Sequence, residues 1–242
     1  MSAITRDRME IVMISPDVEK DGVAKYTGFL SEKLEKLVDI DELGIESVLS
    51  LSETLKLSWK ASEYDLTHIQ FTPSWWGNIF GYFWGSYMIP FLLFARSKTV
   101  LTAHEYEFDH GNPVVYKIQE LKNRIIYSLA DKVIVHNERG KESIHDFAPR
   151  ADIEVIPHGL PEVEEPDEEL DLDGKVILIF GFIRQDKDYE AAFDALEKLP
   201  DDYKLLVAGS ARTEEDEEYE QELKQEVTER GLDDRVTFYG YV

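Results

Sequence analysis

The chain of 242 residues contains no cysteine, so neither a disulfide nor a thiolate metal site contributes to its fold or chemistry. Basic residues are scarce as well: 26 Lys and Arg stand against 50 Asp and Glu, a formal charge of −24. A field of that sign repels phosphate backbones, which argues against nucleic acid as a partner and against a broad electrostatic contact with anionic lipid. The opening MSAITRDRME lacks the apolar core of a secretory signal, and with the missing cysteines this leads to the expectation of a cytoplasmic protein. No period of solenoid length recurs. No metal-ligand cluster stands out either, because the acids lie in runs that water and salt solvate, and no metal is expected.

Acid at this density suits an acidic interaction surface or an adaptation to high salt, where screening removes the self-repulsion. The acids are spread along the chain, and the halophilic reading is the one adopted. With 43% hydrophobic and 12% aromatic residues the chain is globular, and it is long enough for one large domain or two small ones.

Apolar runs alternate with helical spacing along most of the sequence. Strands are expected at Glu10–Ser15, near Ile45–Leu49, and at Leu66–Phe71, Thr99–Ala103, Lys132–Val135 and Ile153–Ile156. A helix starts near Val23 after Asp21-Gly22, with Thr27, Leu30, Leu34, Leu37 and Val38 as its inward stripe. A second, Val114–Leu129, repeats Val115, Ile118, Leu121, Ile125 and Leu129 at the helical period. A short helix with Ile144 and Phe147 follows His136. Strands alternating with helices predict an α/β fold with a parallel sheet. The stretch Pro73–Ala95 carries no charge and is rich in aromatics, among them Trp75, Trp76, Phe80, Tyr82, Phe83, Trp84 and Phe91. Its length approaches a membrane span, but its glycines and prolines, and the strands on either side, favour a buried helix plus loop. The sharper alternative is an aromatic wall that meets an interfacial substrate.

Residues 161–173, PEVEEPDEELDLD, hold eight acids, no base and two prolines, the composition of a linker. Residues 1–160 are therefore read as a first domain, 161–174 as an acidic linker and 175–242 as the start of a second domain. In that second part, strands Val176–Phe180, Lys204–Ala208 and Arg235–Tyr239 alternate with helices Tyr189–Leu199 and Glu215–Arg230. This is half of a doubly wound sheet. KVILIFGFIRQDK (Lys175–Lys187) is a buried-type strand, a glycine turn and then a basic pair at the first turn of a helix. A lysine there opposes the helix dipole, and an anion bound between it and the free N–H groups would reverse that balance. A surface pairing of Arg184 and Lys187 with Asp186 and Asp188 is the other reading of the same spacing.

The series DGVAKYTGFLSEKL (Asp21–Leu34), TAHE (Thr102–Glu105), DKVIVHNERGKESI (Asp131–Ile144), VIPHG (Val155–Gly159), ILIFGFIRQDK (Ile177–Lys187), LLVAGS (Leu205–Ser210) and RVTFYGYV (Arg235–Val242) resembles the retaining, nucleotide-sugar-dependent glycosyltransferases of family 4. The resemblance implies the GT-B fold: an N-terminal Rossmann-like domain, here followed by an incomplete second Rossmann-like domain. It implies transfer of a sugar from a nucleoside diphosphate donor to an acceptor hydroxyl with retention, without a cofactor. The acceptor would be a glycan or a lipid-linked molecule, with a peripheral contact at the inner face of the membrane. By the same resemblance Gly22 lies in a glycine loop near the donor, His104 near the transferred sugar and acceptor, and Arg184 and Lys187 on the donor diphosphate. Glu105 is the carboxylate singled out beside His104, whereas His136 and His158 are read as structural histidines. Two departures stand out. Asp188 occupies the place of a usual glycine, and the family's paired glutamates, which hold the donor's ribose and sugar, would lie beyond Val242. A nucleotide-sugar epimerase and a shortened, non-catalytic partner subunit are the alternatives.

Overall fold

The computed structural model describes residues 8–18, 21–79, 83–106, 112–160 and 174–241. The chain divides into two compact units, Met1–Glu162 and Val163–Val242. Most of the acidic stretch read as a linker, residues 161–173, lies outside the described residues, as do Phe80 and Tyr82 of the aromatic segment.

The first unit opens with β1 (Glu10–Pro16), α1 (Gly22–Leu34), β2 (Asp39–Ile45), α2 (Leu51–Ala61) and β3 (Leu66–Phe71). A two-stranded hairpin, β4 (Asn78–Ile79) with β5 (Phe83–Trp84), and α3 (Met88–Phe94) precede β6 (Lys98–Ala103). The unit closes with α4 (Pro113–Leu129), β7 (Lys132–Val135), α5 (Glu138–Phe147) and β8 (Ile153–Val155). Six of these strands form one parallel sheet in the order β2-β1-β3-β6-β7-β8. The chain leaves β1 towards one edge and later continues from β3 towards the other, so the strand order reverses beside β1. That reversal is where open α/β sheets bind ligands, at the carboxyl ends of their strands. Central strands are buried on both faces, which is why β3 reads LTHIQF with Ile69 and Phe71 in the core and His68 and Gln70 also buried.

Several expectations change here. The second strand is Asp39–Ile45 rather than Ile45–Leu49; as an edge strand it keeps Asp39, Asp41 and Glu42 in water, which erases the apolar alternation. Residues 51–61 form α2, started by a capping box between Ser50 and Glu53. Helix α1 buries Thr27 and Ser31, while Leu37 and Val38 fall beyond its end. Helix α4 turns the other way from its expected register: Gln119, Lys122, Asn123, Ile126 and Tyr127 are buried, whereas Ile118, Leu121, Ile125 and Leu129 face solvent. The aromatic segment divides its roles, with Trp76 and Phe91 in the core and Trp84 and Phe94 outside. Among the described residues no helix is long and apolar enough to cross a membrane.

The second unit contains β9 (Lys175–Phe180), α6 (Tyr189–Lys198), β10 (Tyr203–Ala208), α7 (Glu214–Glu229) and β11 (Val236–Gly240), with the strands parallel in the order β11-β10-β9. Phe193, Leu196, Tyr219, Leu223 and Val227 from the helices pack on Leu205, Val207 and Val236, with Ile177 and Ile179 against them. The opposite side of β9 stays bare: Leu178 and Phe180 are 57% and 66% exposed. The turns after β9 and β10 touch closely enough to require glycine, since a Cβ on Gly209 would lie 2.1 Å from the Gly181 carbonyl oxygen.

Candidate functional site

Three strands of the first unit each deliver a histidine just beyond their carboxyl ends. Thr102 of β6 is level with Ile134 of β7, and Ile134 with Glu154 of β8, so His104, His136 and His158 emerge side by side. Their ring centroids are 5.3 Å apart for His104–His136 and 4.8 Å for His136–His158. Those distances follow the roughly 4.8 Å spacing of neighbouring strands. Tyr26, one turn into α1, closes the group from the first strand's side, with its ring 5.6 Å from His104, 5.6 Å from His136 and 4.3 Å from His158. The cluster therefore lies along the carboxyl edge of the sheet. His136 and His158, read from the sequence as structural, thus join His104. Tyr26 was missed because nothing in its local spacing marks it. The signal that could have found the group is the repeated placement of a histidine soon after a predicted strand.

Each imidazole has one nitrogen committed. His136 Nδ1 donates to the Ile156 carbonyl at 3.0 Å and His158 Nδ1 to the Gly159 carbonyl at 2.9 Å, since a carbonyl can only accept. His104 Nε2 donates to the Gln70 amide oxygen at 2.9 Å. These bonds leave the second nitrogen of each ring out of the contacts just described. His136 Nε2 is buried and without a partner among the described residues, and so is the Gln70 amide nitrogen. A buried polar atom left unpaired costs about 1–3 kcal/mol, and such atoms in a native site call for a ligand or a water. Among the described residues no group of three or more His, Asp or Glu is placed to hold a metal ion.

Burial pushes the His104 pKa down to about 4, and the neighbouring His136, His158 and His68 act in the same direction, opposed by Asp21. The ring is therefore neutral at pH 7. Behind it His68, buried and 2.8 Å from the Thr102 hydroxyl, is also lowered to about 4 by burial. Glu105 follows His104 directly; burial raises its carboxyl pKa and the charge of Asp21 raises it further. Asp21 caps α1, accepting from the N–H groups of Val23 at 2.8 Å and Ala24 at 3.2 Å. Gly22 is the first residue of that helix. A Cβ there would meet nothing within 4 Å among the described residues, so local packing does not demand the glycine.

Arg184 and Lys187 belong to the second unit. Lys187 does not stand in the first turn of α6 but in a short 3-10 turn, Gln185–Lys187, that precedes it. Its ammonium donates to the Phe180 carbonyl at 2.7 Å and lies at the glycine turn after β9. Partial burial lowers the Lys187 pKa, as does the charge of Arg184, with Asp186 opposing. Arg184 pairs with Asp186 at 3.2 Å, both side chains being well exposed. The ion pair expected for Asp188 is absent from the described contacts; its carboxylate instead caps α6 by accepting from the Ala191 N–H at 3.3 Å. Asp188 is also left-handed, with φ at +50°. That conformation is why a glycine suits this position, and aspartate is among the few other residues that tolerate it.

With this geometry in place, comparison with known proteins is informative. Residues 161–242 match the family model for glycosyl transferases group 1. The comparison with curated protein sequences finds no match. Among solved structures, HepE from Anabaena in complex with UDP and glucose superposes with a TM-score of 0.65 at 18% identity, over 97% of this chain and 70% of that one. A glycosyltransferase from Rickettsia africae gives 0.60 at 17% identity, over 98% of this chain and 69% of that one. A Listeria monocytogenes protein described as a UDP-N-acetylglucosamine 2-epimerase gives 0.61 at 10% identity, over 97% and 69%. The fold is thus the GT-B type, with parallel-sheet, Rossmann-like units.

Proposed function

We propose that the chain serves sugar transfer from a nucleoside diphosphate donor to an acceptor hydroxyl, with retention of configuration as in family 4. The observation that carries this reading is the glycosyl transferases group 1 match over residues 161–242, the part that holds Arg184 and Lys187. In this reading the two cations bind the donor diphosphate and stabilise the charge that grows on it as the glycosidic bond breaks. Solved relatives of the same fold are described as bound to UDP and glucose or to UDP-glucose, which supports a nucleotide sugar as the ligand class.

The first unit contributes a surface of hydrogen-bond acceptors. The uncommitted nitrogens of His104, His136 and His158 suit hydroxyl groups, which can donate, and the Tyr26 ring offers a face to a pyranose. His104 orients the sugar or acceptor. Glu105, whose carboxyl pKa is raised by burial, is the carboxylate assigned to the acceptor side, and Gly22 keeps the role the resemblance gives it, in the glycine loop of the first domain. Calorimetry with UDP, GDP and their sugar conjugates tests the donor class, and a radiolabelled sugar followed into an acceptor tests the reaction.

A second reading, a nucleotide-sugar epimerase, is favoured by the Listeria fold relative. The labelled-donor experiment separates the two, because an epimerase returns label in a changed nucleotide sugar. A partner-subunit reading is favoured by the bare Leu178 and Phe180 side of β9, and it predicts no nucleotide binding at all.

A further inference from the structure

Gln70 is an unusual residue for its place. It stands on β3, between β1 and β6, where burial on both faces calls for apolar side chains, yet it is only 1% exposed. A buried amide costs stability unless its polar atoms are hydrogen-bonded. The Gln70 oxygen is bonded, 2.9 Å from His104 Nε2, while its nitrogen has no partner among the described residues.

Strand register accounts for the contact. Gln70 is level with Thr102 of β6, so it reaches a residue two positions further along the neighbouring segment. His68 makes the same diagonal one step earlier: it is level with Val100, and its Nε2 lies 2.8 Å from the Thr102 hydroxyl. His68 and Gln70 share one face of β3, since side chains alternate along a strand. Two buried polar residues thus brace Thr102 and His104 in succession, and the row ends on the His104 ring.

An amide oxygen accepts and cannot donate, so this bond requires a hydrogen on His104 Nε2. In the neutral ring that leaves Nδ1 as the acceptor. A carboxylate in the place of Gln70 would take the same hydrogen but would favour the charged imidazolium. The amide holds the ring without adding charge, and that agrees with the lowering of the His104 pKa to about 4 by burial. The titratable groups around the ring are His136 and His158 at the same edge, His68 on β3, Asp21 and Tyr26 from α1, and Glu105 next in the chain. The three histidines add to the lowering, and Asp21 opposes it.

We propose that Gln70 is a positioning residue: it holds His104 neutral with the hydrogen on Nε2, so that Nδ1 accepts a hydrogen bond from a ligand hydroxyl. That the hydroxyl belongs to a sugar or its acceptor rests on the sugar-transfer reading; the protonation state of the ring does not.

The test is a long-range proton–nitrogen correlation spectrum of the full, isotope-labelled chain without ligand, at a salt concentration where circular dichroism shows the native fold. It reads where the hydrogen sits on each of the six histidines, and His104 is identified by the signals lost in His104→Gln. Between about pH 5 and 8 His104 is expected to remain neutral with hydrogen on Nε2 alone. Gln70→Glu should raise its titration midpoint by about 1–3 units, the effect of an adjacent opposite charge. Gln70→Leu keeps the bulk and drops the bond, so the form protonated at Nδ1 should appear. A wild-type ring protonated at Nδ1, a mixture of the two forms, or a hydrogen position that Gln70→Leu leaves unaltered overturns the proposal. The wild-type spectrum alone decides if neither variant folds. Where transfer is measurable, Gln70→Leu should lower kcat/KM about tenfold, the worth of one hydrogen bond, and leave UDP affinity unchanged. Absence of transfer or of UDP binding in the wild type counts against the sugar-transfer reading, and the ring is still read in the same chain.

Discussion

The Lys187 ammonium sits 2.7 Å from the carbonyl oxygen of Phe180, held across the turn that follows β9. This contact fixes the end of a flexible side chain at a glycine corner, and two of the ammonium's three donors remain for other partners. A lysine positioned in this way has already lost much of the freedom that binding a phosphate would otherwise cost.

Lys187→Ala is therefore expected to weaken UDP binding by about 10–100-fold, the worth of one charge-assisted hydrogen bond of roughly 1.5–3 kcal/mol. The exposed Arg184 should contribute less. Thermal unfolding should shift little, because the lost contact to Phe180 is at a partly exposed site. Calorimetry and a melting curve on the same sample check both halves.

Asp188 separates two effects that coincide in most proteins. Asp188→Ala removes the α6 cap and keeps a side chain at φ +50°, so a loss of about 1–2 kcal/mol is expected in urea unfolding. Asp188→Gly removes the same cap but relieves the backbone, and should cost only a few tenths of a kcal/mol. It also deletes a carboxylate next to Lys187, so diphosphate affinity should rise.

Stability should fall on acidification between pH 6.5 and 4 through His104 and His68. Both have pKa values near 4 in the folded chain, against about 6.5 unfolded. In that window the unfolded chain binds more protons, which favours unfolding as pH drops. Each group accounts for on the order of 3 kcal/mol, fully present above pH 6.5 and lost as pH passes 4. His104→Gln should remove its share of that slope, read from denaturant midpoints across the range.

The net charge of −24 leads to a salt prediction: raising potassium chloride from low to molar concentration should increase the melting temperature. If the halophilic reading is right, the gain continues beyond the concentration at which simple screening is complete.

The alternation of elements was legible in the sequence wherever a strand is central. Leu66–Phe71 is buried almost throughout, and Lys132–Val135 buries Val133 and Val135 in alternation, short runs of the kind a strand in a parallel sheet needs. The edge strand β2 and the helix α2 were obscured, for related reasons. β2 keeps acids in water and turns only Leu43 and Ile45 towards the core, and α2 packs largely with Thr54, Ser58 and Ala61, so neither shows a clear apolar pattern. In α4 the period of Ile118, Leu121 and Ile125 gave the helix correctly and its direction wrongly. Periodicity reports that one side is apolar and says nothing of what covers it. The site shows the same limit. His104 and Lys187 were accessible through family resemblance, but the meeting of Tyr26, His136 and His158 depends on strand order and register, which the local sequence does not carry.

The most direct test of the account is titration of the full chain with UDP and GDP in high salt, for the wild type and for Lys187→Ala. Saturable binding of one nucleotide, weakened at least tenfold by the substitution, is the predicted result. No heat from either nucleotide at millimolar concentration, or binding that Lys187→Ala leaves unchanged, would contradict the assignment of the second unit as a nucleoside diphosphate site.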